Sequence, residues 1–169
     1  AFSLTRMTFG KSLDLYPCFT PDGENLVFSS NRAGVNPTLW QVKAEGGGGI
    51  TKLTNTLAAD FSPSLSGEGK IVVYASYPPG AEETQIWTVD ADGRLPTQLR
   101  EGESPCLSPD GQRILFVRRD KTSRASQIWV MNLDGSQETQ LTQNSDYDTI
   151  HPRWSPDGNR IASASNEGL

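Results

Sequence analysis

Three markers recur along this chain with one period, and no other feature constrains its fold so tightly. A proline precedes a turn at Pro17, Pro63, Pro105 and Pro152, with spacings of 46, 42 and 47 residues. A Leu-Trp or Ile-Trp pair stands at Leu39-Trp40, Ile86-Trp87 and Ile128-Trp129, and its tryptophans are 47 and 42 apart. A third phrase, Arg6-Met7-Thr8, Lys52-Leu53-Thr54, Gln98-Leu99-Arg100 and Gln140-Leu141-Thr142, repeats at 46, 46 and 42. Three markers in step at roughly 45 residues define one supersecondary unit copied along the chain. Such a unit buries its faces only by stacking on its neighbours.

Each period reads as four short strands. Thr20-Pro21-Asp22-Gly23, Ser108-Pro109-Asp110-Gly111 and Ser155-Pro156-Asp157-Gly158 are turns. Their proline is pre-set to φ near −65° and their glycine tolerates positive φ. Apolar strands follow, as in Leu26-Val27-Phe28, Ile71-Val72-Val73-Tyr74 and Ile114-Leu115-Phe116-Val117. The Trp-bearing strand then runs to Asp92-Gly93 or Asp134-Gly135, both hairpin signals. In the first period the glycine run 46–49 takes that place, and in the second Ser66-Gly67-Glu68-Gly69 replaces the Pro-Asp-Gly turn. No segment sustains a 3.6-residue apolar period, so helices are expected to be almost absent. Four strands per period, repeated, predict an all-β chain of four-stranded antiparallel β-propeller blades.

The phrases HPRWSPDGNRIASASNEG, FSSNRAG and QIWVMNLDGSQETQLT resemble the repeat of the TolB-like β-propeller family. The resemblance spans residues 2–168. It implies a propeller that binds other proteins, as the periplasmic TolB component does, and favours a periplasmic or otherwise extracytoplasmic setting. It also admits the propeller portion of a larger hydrolase, of the prolyl-oligopeptidase or tricorn-like peptidase type, gating an active site.

The period divides residues 1–169 into blade repeats at about 10–55, 56–101 and 102–143 and a partial one at 144–169. An N-terminal strand over 3–8 is expected to complete the partial repeat. Family propellers close at six or seven blades, about 270–315 residues, so three and a half to four blades make an incomplete ring. Either the chain is part of a longer propeller, or a homodimer closes an eight-bladed ring with two-fold symmetry.

Composition narrows the function. There are 20 Asp and Glu against 15 Lys and Arg, for a net charge of −5. That balance disfavours nucleic-acid binding, and no apolar run approaches the ~20 residues of a membrane span. The start of the chain shows no charged region followed by an apolar one, as a signal peptide would. One histidine, His151, leaves little room for histidine chemistry. Cys18 and Cys106 hold the same slot two blades apart, too far for a disulfide, and are expected to be free.

The candidate binding residues are acidic. Asp14 and Asp60 lie three residues before a repeat proline, and Glu101 and Asp148 lie four before. Together with His151 they are expected at one mouth of the channel. Carboxylates there either bond the crossover backbone or form a ring that holds Ca²⁺ or a basic peptide. Arg118, Arg119, Lys121 and Arg124 form one basic patch on a hairpin, either solvated or open to an acidic partner. The four tryptophans occupy repeat-equivalent slots and are assigned to packing between blades. No nucleophile motif or metal-binding motif occurs, so the chain is read as non-enzymatic, with no cofactor and a protein or peptide as partner.

Overall fold

The short turn-bounded runs of the sequence become strands in a computed structural model that describes residues 4–46, 48–65 and 67–167. The first sheet holds β1 (Asp14–Phe19), β2 (Asn25–Ser30), β3 (Thr38–Lys43) and β4 (Thr51–Lys52). The second holds β5 (Ala59–Leu65), β6 (Ile71–Tyr77), β7 (Gln85–Asp90) and β8 (Thr97–Glu101). The third holds β9 (Glu103–Leu107), β10 (Arg113–Arg119), β11 (Ser126–Asn132) and β12 (Thr139–Gln140). β13 (Thr149–Trp154) and β14 (Ile161–Ser165) pair alone. Strands are antiparallel and ordered as in the chain. Among the described residues no helix forms. The four sheets are the blades of an incomplete propeller, with no closed sheet.

Side chains close the turn between the first two strands in blades 1, 3 and 4. The Thr20, Ser108 and Ser155 hydroxyls each donate to the Asp two residues on, at 2.5 Å. The same hydroxyls accept the N–H of Asn25, Arg113 and Arg160 at 3.0, 2.9 and 2.9 Å. The carboxylates accept the N–H of Glu24, Gln112 and Asn159. These bonds satisfy donors that the two-residue advance of the turn leaves outside the ladder.

β1, β5, β9 and β13 touch in succession and line the axis. Alternate residues of the outer strands fill the seams between blades, because successive side chains point to opposite faces. Val27 and Leu39 of blade 1 meet Val72, Tyr74 and Val89 of blade 2. Val73 and Ile86 from the other face of blade 2 meet Ile114, Phe116 and Met131 of blade 3. Trp87 and Trp129 pack against these seams, half-buried. Trp154 donates to the Cys106 carbonyl at 3.2 Å and lies under the Arg113 guanidinium, 4.7 Å from its ring centre.

The strand expected over 3–8 falls partly outside the described residues. Residues 4–9 run without strand pairing, and Ser3 lies outside the described residues. In the complete blades this phrase forms the outermost strand, which pairs with a third strand: β4 with β3, β8 with β7, β12 with β11. The last sheet has no third strand, so it offers no such partner. Every residue of β14 is exposed.

Close approach explains the irregular turn of the second period. A Cβ at Gly67 would lie 2.4 Å from the carbonyl oxygen of Pro109, in the equivalent turn of the next blade. Ser66 lies outside the described residues, as does Gly47 in the glycine run 46–49. Gly67→Ala is therefore expected to cost about 1–3 kcal/mol through overpacking. Gly49→Ala, which meets open space, is expected to stay within about 0.5 kcal/mol of the parent. Urea unfolding of the two variants checks this, and equal effects would refute the turn-to-turn contact.

Candidate functional site

The residue before each repeat proline adopts a left-handed backbone: Tyr16 at φ 54°, Ser62 at 51°, Ser104 at 51° and His151 at 54°. Proline disfavours the right-handed helical region for the residue before it. Each innermost strand answers with a bulge, seen as a register shift at this place in β1, β5, β9 and β13. A left-handed L-residue costs about 1–2 kcal/mol, and bulges re-aim a side chain. Here all four bulges turn theirs toward one axis.

The result is an axial cleft of about 510 Å³. Its wall has two tiers. Tyr16, Ser62, Ser104 and His151 form one, and Cys18, Ser64, Cys106 and Arg153, each directly after the proline, form the other. Phe61 and Glu103, each directly before a tier residue, complete the wall. The Tyr16 and Phe61 rings lie 6.3 Å apart at 40°, an aromatic pair bridging blades 1 and 2. His151 and Arg153 stand exposed on blade 4. Arg153 donates one guanidinium N–H to the Pro152 carbonyl at 2.8 Å. Ser64 accepts the Leu107 N–H at 2.9 Å, tying blade 2 to blade 3.

Both cysteines are free. Burial pushes the Cys18 thiol above its ordinary value, and Cys106 adds to that rise. A hydrogen bond from the Leu65 backbone and the charge of Arg153 oppose it without cancelling it.

The four acidic candidates do not form one open ring. Asp14 accepts two bonds from Arg32, both at 3.0 Å, and one from Ser30 at 2.5 Å. Asp60 has no exposed surface and accepts the hydroxyls of Thr54, Thr56 and Ser76 at 2.7, 2.7 and 2.6 Å. Asp148 accepts the Ser126 N–H at 2.6 Å. Glu101 ends β8 and faces Lys121 at 3.6 Å. Register separates Asp14 and Asp60 from Glu101 and Asp148. Asp14 pairs with Ser30, Asp60 with Ser76 and Thr149 with Ser165, so the blade 3 equivalent is Gly102. A Cβ at Gly102 would lie 2.6 Å from the Phe116 ring. Among the described residues, no group of three or more His, Cys, Asp or Glu side chains converges as a metal site.

The basic patch splits. Arg118 is an internal clamp: it grips Glu138 with two bonds at 2.5 and 2.8 Å and covers the Phe116 and Trp129 rings at 5.2 and 4.9 Å. Arg119, Lys121 and Arg124 stay exposed on the β10–β11 hairpin. Arg32 makes the same cover over Phe28 and Trp40, at 5.1 and 5.3 Å, held by Asp14. Sequence reasoning missed Arg32, Arg153, Tyr16 and Phe61. The repeat register of the proline-flanking positions could have found the last three.

The sequence matches the family model described as TolB beta propeller domain over residues 2–125. An uncharacterized protein of Agrobacterium fabrum is 30% identical over 95 residues, covering 53% of this chain and 32% of that protein. A TolB-designated structure from Agrobacterium tumefaciens aligns with a TM-score of 0.75 at 24% identity, over 87% of this chain and 52% of that one. A puromycin-hydrolyzing peptidase of Mycobacterium tuberculosis aligns with a TM-score of 0.72 at 17% identity, over 93% of this chain and 27% of that one. The chain thus spans only part of each relative, and at these identities the two structural matches speak for the fold.

The Asp14–Arg32 clamp yields a pH prediction. Burial alone would raise the Asp14 pKa, but bonds from Ser30, Thr8 and Arg32 and the Arg32 charge outweigh it, leaving the carboxyl below its ordinary 3.8. A depressed folded-state pKa gives stability that is present above the unfolded value and lost as pH falls through the folded one. Asp14→Asn is expected to cost about 1.5–3 kcal/mol near neutral pH, and the difference from the parent should shrink as pH falls below 3.8. Denaturant unfolding across that range checks it. A pH-independent difference would refute the ionic clamp.

Proposed function

The chain belongs to the TolB β-propeller family, and on that premise we propose that it is a non-enzymatic scaffold for protein–protein interaction. It takes a protein or peptide segment at the mouth of its axial cleft. The observation that carries this reading is the pair of tiers: repeat-equivalent positions differ in chemistry from blade to blade while the backbone beneath them stays the same. Tyr, Ser, Ser and His occupy one slot of four inner strands. Rigid strands holding variable side chains around an open cleft suit recognition. Fold alone does not settle function, so the weight rests on this site.

A periplasmic or otherwise extracytoplasmic setting goes with this reading and rests on the family resemblance. The acidic residues Asp14, Asp60 and Asp148 have structural roles in it, since their oxygens are engaged within the blades. No cofactor is needed.

The second reading, the propeller portion of a larger hydrolase, draws on the fold-level likeness to the mycobacterial peptidase. In that case the same cleft acts as a filter for substrate and not as the end point of binding.

A photo-crosslinking residue at Tyr16 is expected to give a discrete adduct with a partner protein in cells of the source organism. The same residue at Asn159, in the blade 4 turn beyond the far end of β13, is expected to give none. Equal labelling from both positions, or none from Tyr16, would overturn the binding site. Discovery of peptidase sequence fused downstream would favour the second reading.

A further inference from the structure

The walls of the axial cleft are not alike. Blades 1 and 2 contribute the aromatic pair Tyr16 and Phe61. Blade 3 contributes Glu103, one residue before its bulge. Blade 4 contributes His151 in one tier and Arg153 in the other. In its own tier Arg153 stands as the guanidinium among Cys18, Ser64 and Cys106.

Arg153 is anchored and still available. One guanidinium N–H is spent on the Pro152 carbonyl beside it. That bond fixes the stem, and a guanidinium carries five donors in a fixed fork. Arg153 lines the cleft from blade 4, and Tyr16, Cys18 and Phe61 line it from blades 1 and 2.

We propose that the cleft selects an extended peptide segment in which an aromatic residue stands next to a carboxylate, the ring against Tyr16 and Phe61 and the carboxylate on Arg153. This rests on the interaction-scaffold reading above and names the chemistry of its ligand. The acidic candidates of the sequence pointed to a basic ligand. Asp14 and Asp60 are engaged inside the blades, and the cleft itself carries one cation, Arg153, beside one carboxylate, Glu103. Glu103, one position nearer the start of its strand, opposes a second carboxylate and accepts a backbone N–H of the same segment. An aromatic side chain brings large contact area with few rotors to freeze. A carboxylate on a guanidinium fork adds orientation as well as attraction.

The test titrates the whole isotope-labelled chain, followed by amide NMR, with three blocked tetrapeptides: Ser-Phe-Asp-Ser, Ser-Phe-Asn-Ser and Ser-Phe-Lys-Ser. The Asp peptide is expected to bind about tenfold tighter than the Asn peptide, and the Lys peptide most weakly, with shifts centred on blades 1, 2 and 4. Arg153→Ala should abolish the preference of Asp over Asn. Arg153→Glu should invert it toward the Lys peptide. Phe61→Ala should weaken all three alike. Arg153 is exposed, so both of its variants are expected to keep the fold, and their amide spectra report this directly. A parent protein that favours the Lys peptide, or treats the three alike, overturns the ligand assignment and leaves the scaffold reading standing. No shift with any peptide at millimolar concentration overturns both.

Discussion

Each blade is a thin sheet with two apolar faces, and it can hide them only against other sheets. Everything else in the molecule follows from that geometry. Blade 2 gives Val72 and Tyr74 to one seam and Val73 and Ile86 to the other, so neither face exists as a stable surface without a neighbour. At about 25 cal/mol per Å² of apolar area removed from water, the seams dominate stability. The turns of blades 2 and 3 meet closely, and Gly67 is what that contact leaves room for, while Gly102 leaves room for the Phe116 ring. The Arg32 guanidinium held by Asp14 lies over Phe28 and Trp40 of blade 1, as Arg118 lies over Phe116 and Trp129 of blade 3.

The same constraint produces the site. Inner strands crowd the axis, and a regular strand would direct alternate side chains along the sheet normal, into the seams. The left-handed bulge before each proline breaks that alternation once per blade. It exposes two positions per strand to the axis and leaves the seam residues in place. Recognition and packing are thus separated by one residue of backbone geometry.

Much of the fold was legible in the sequence, and the site was less so. The proline, tryptophan and Leu-Thr registers marked out the strands because turn chemistry and apolar patterning are local. Free Cys18 and Cys106 followed from repeat position alone. The strand expected over 3–8 depends on a partner strand, which no local pattern reveals. Glu101 and Asp148 stand four residues before a repeat proline where Asp14 and Asp60 stand three before, and in a strand that one residue sets them outside the shared register. The roles of Asp60 and Arg118 depend on side chains 16 and 20 residues away, beyond what spacing can show.

The hydroxyl-closed turns set the two ends of the axis apart. At one end Thr20, Ser108 and Ser155 build near-identical loops whose hydrogen bonds are consumed internally. At the other end the tiers differ from blade to blade, Tyr, Ser, Ser and His in one and Cys, Ser, Cys and Arg in the other. Within this one chain the repeat thus holds its turns and seams nearly constant and places its chemical variety at a single end of the axis.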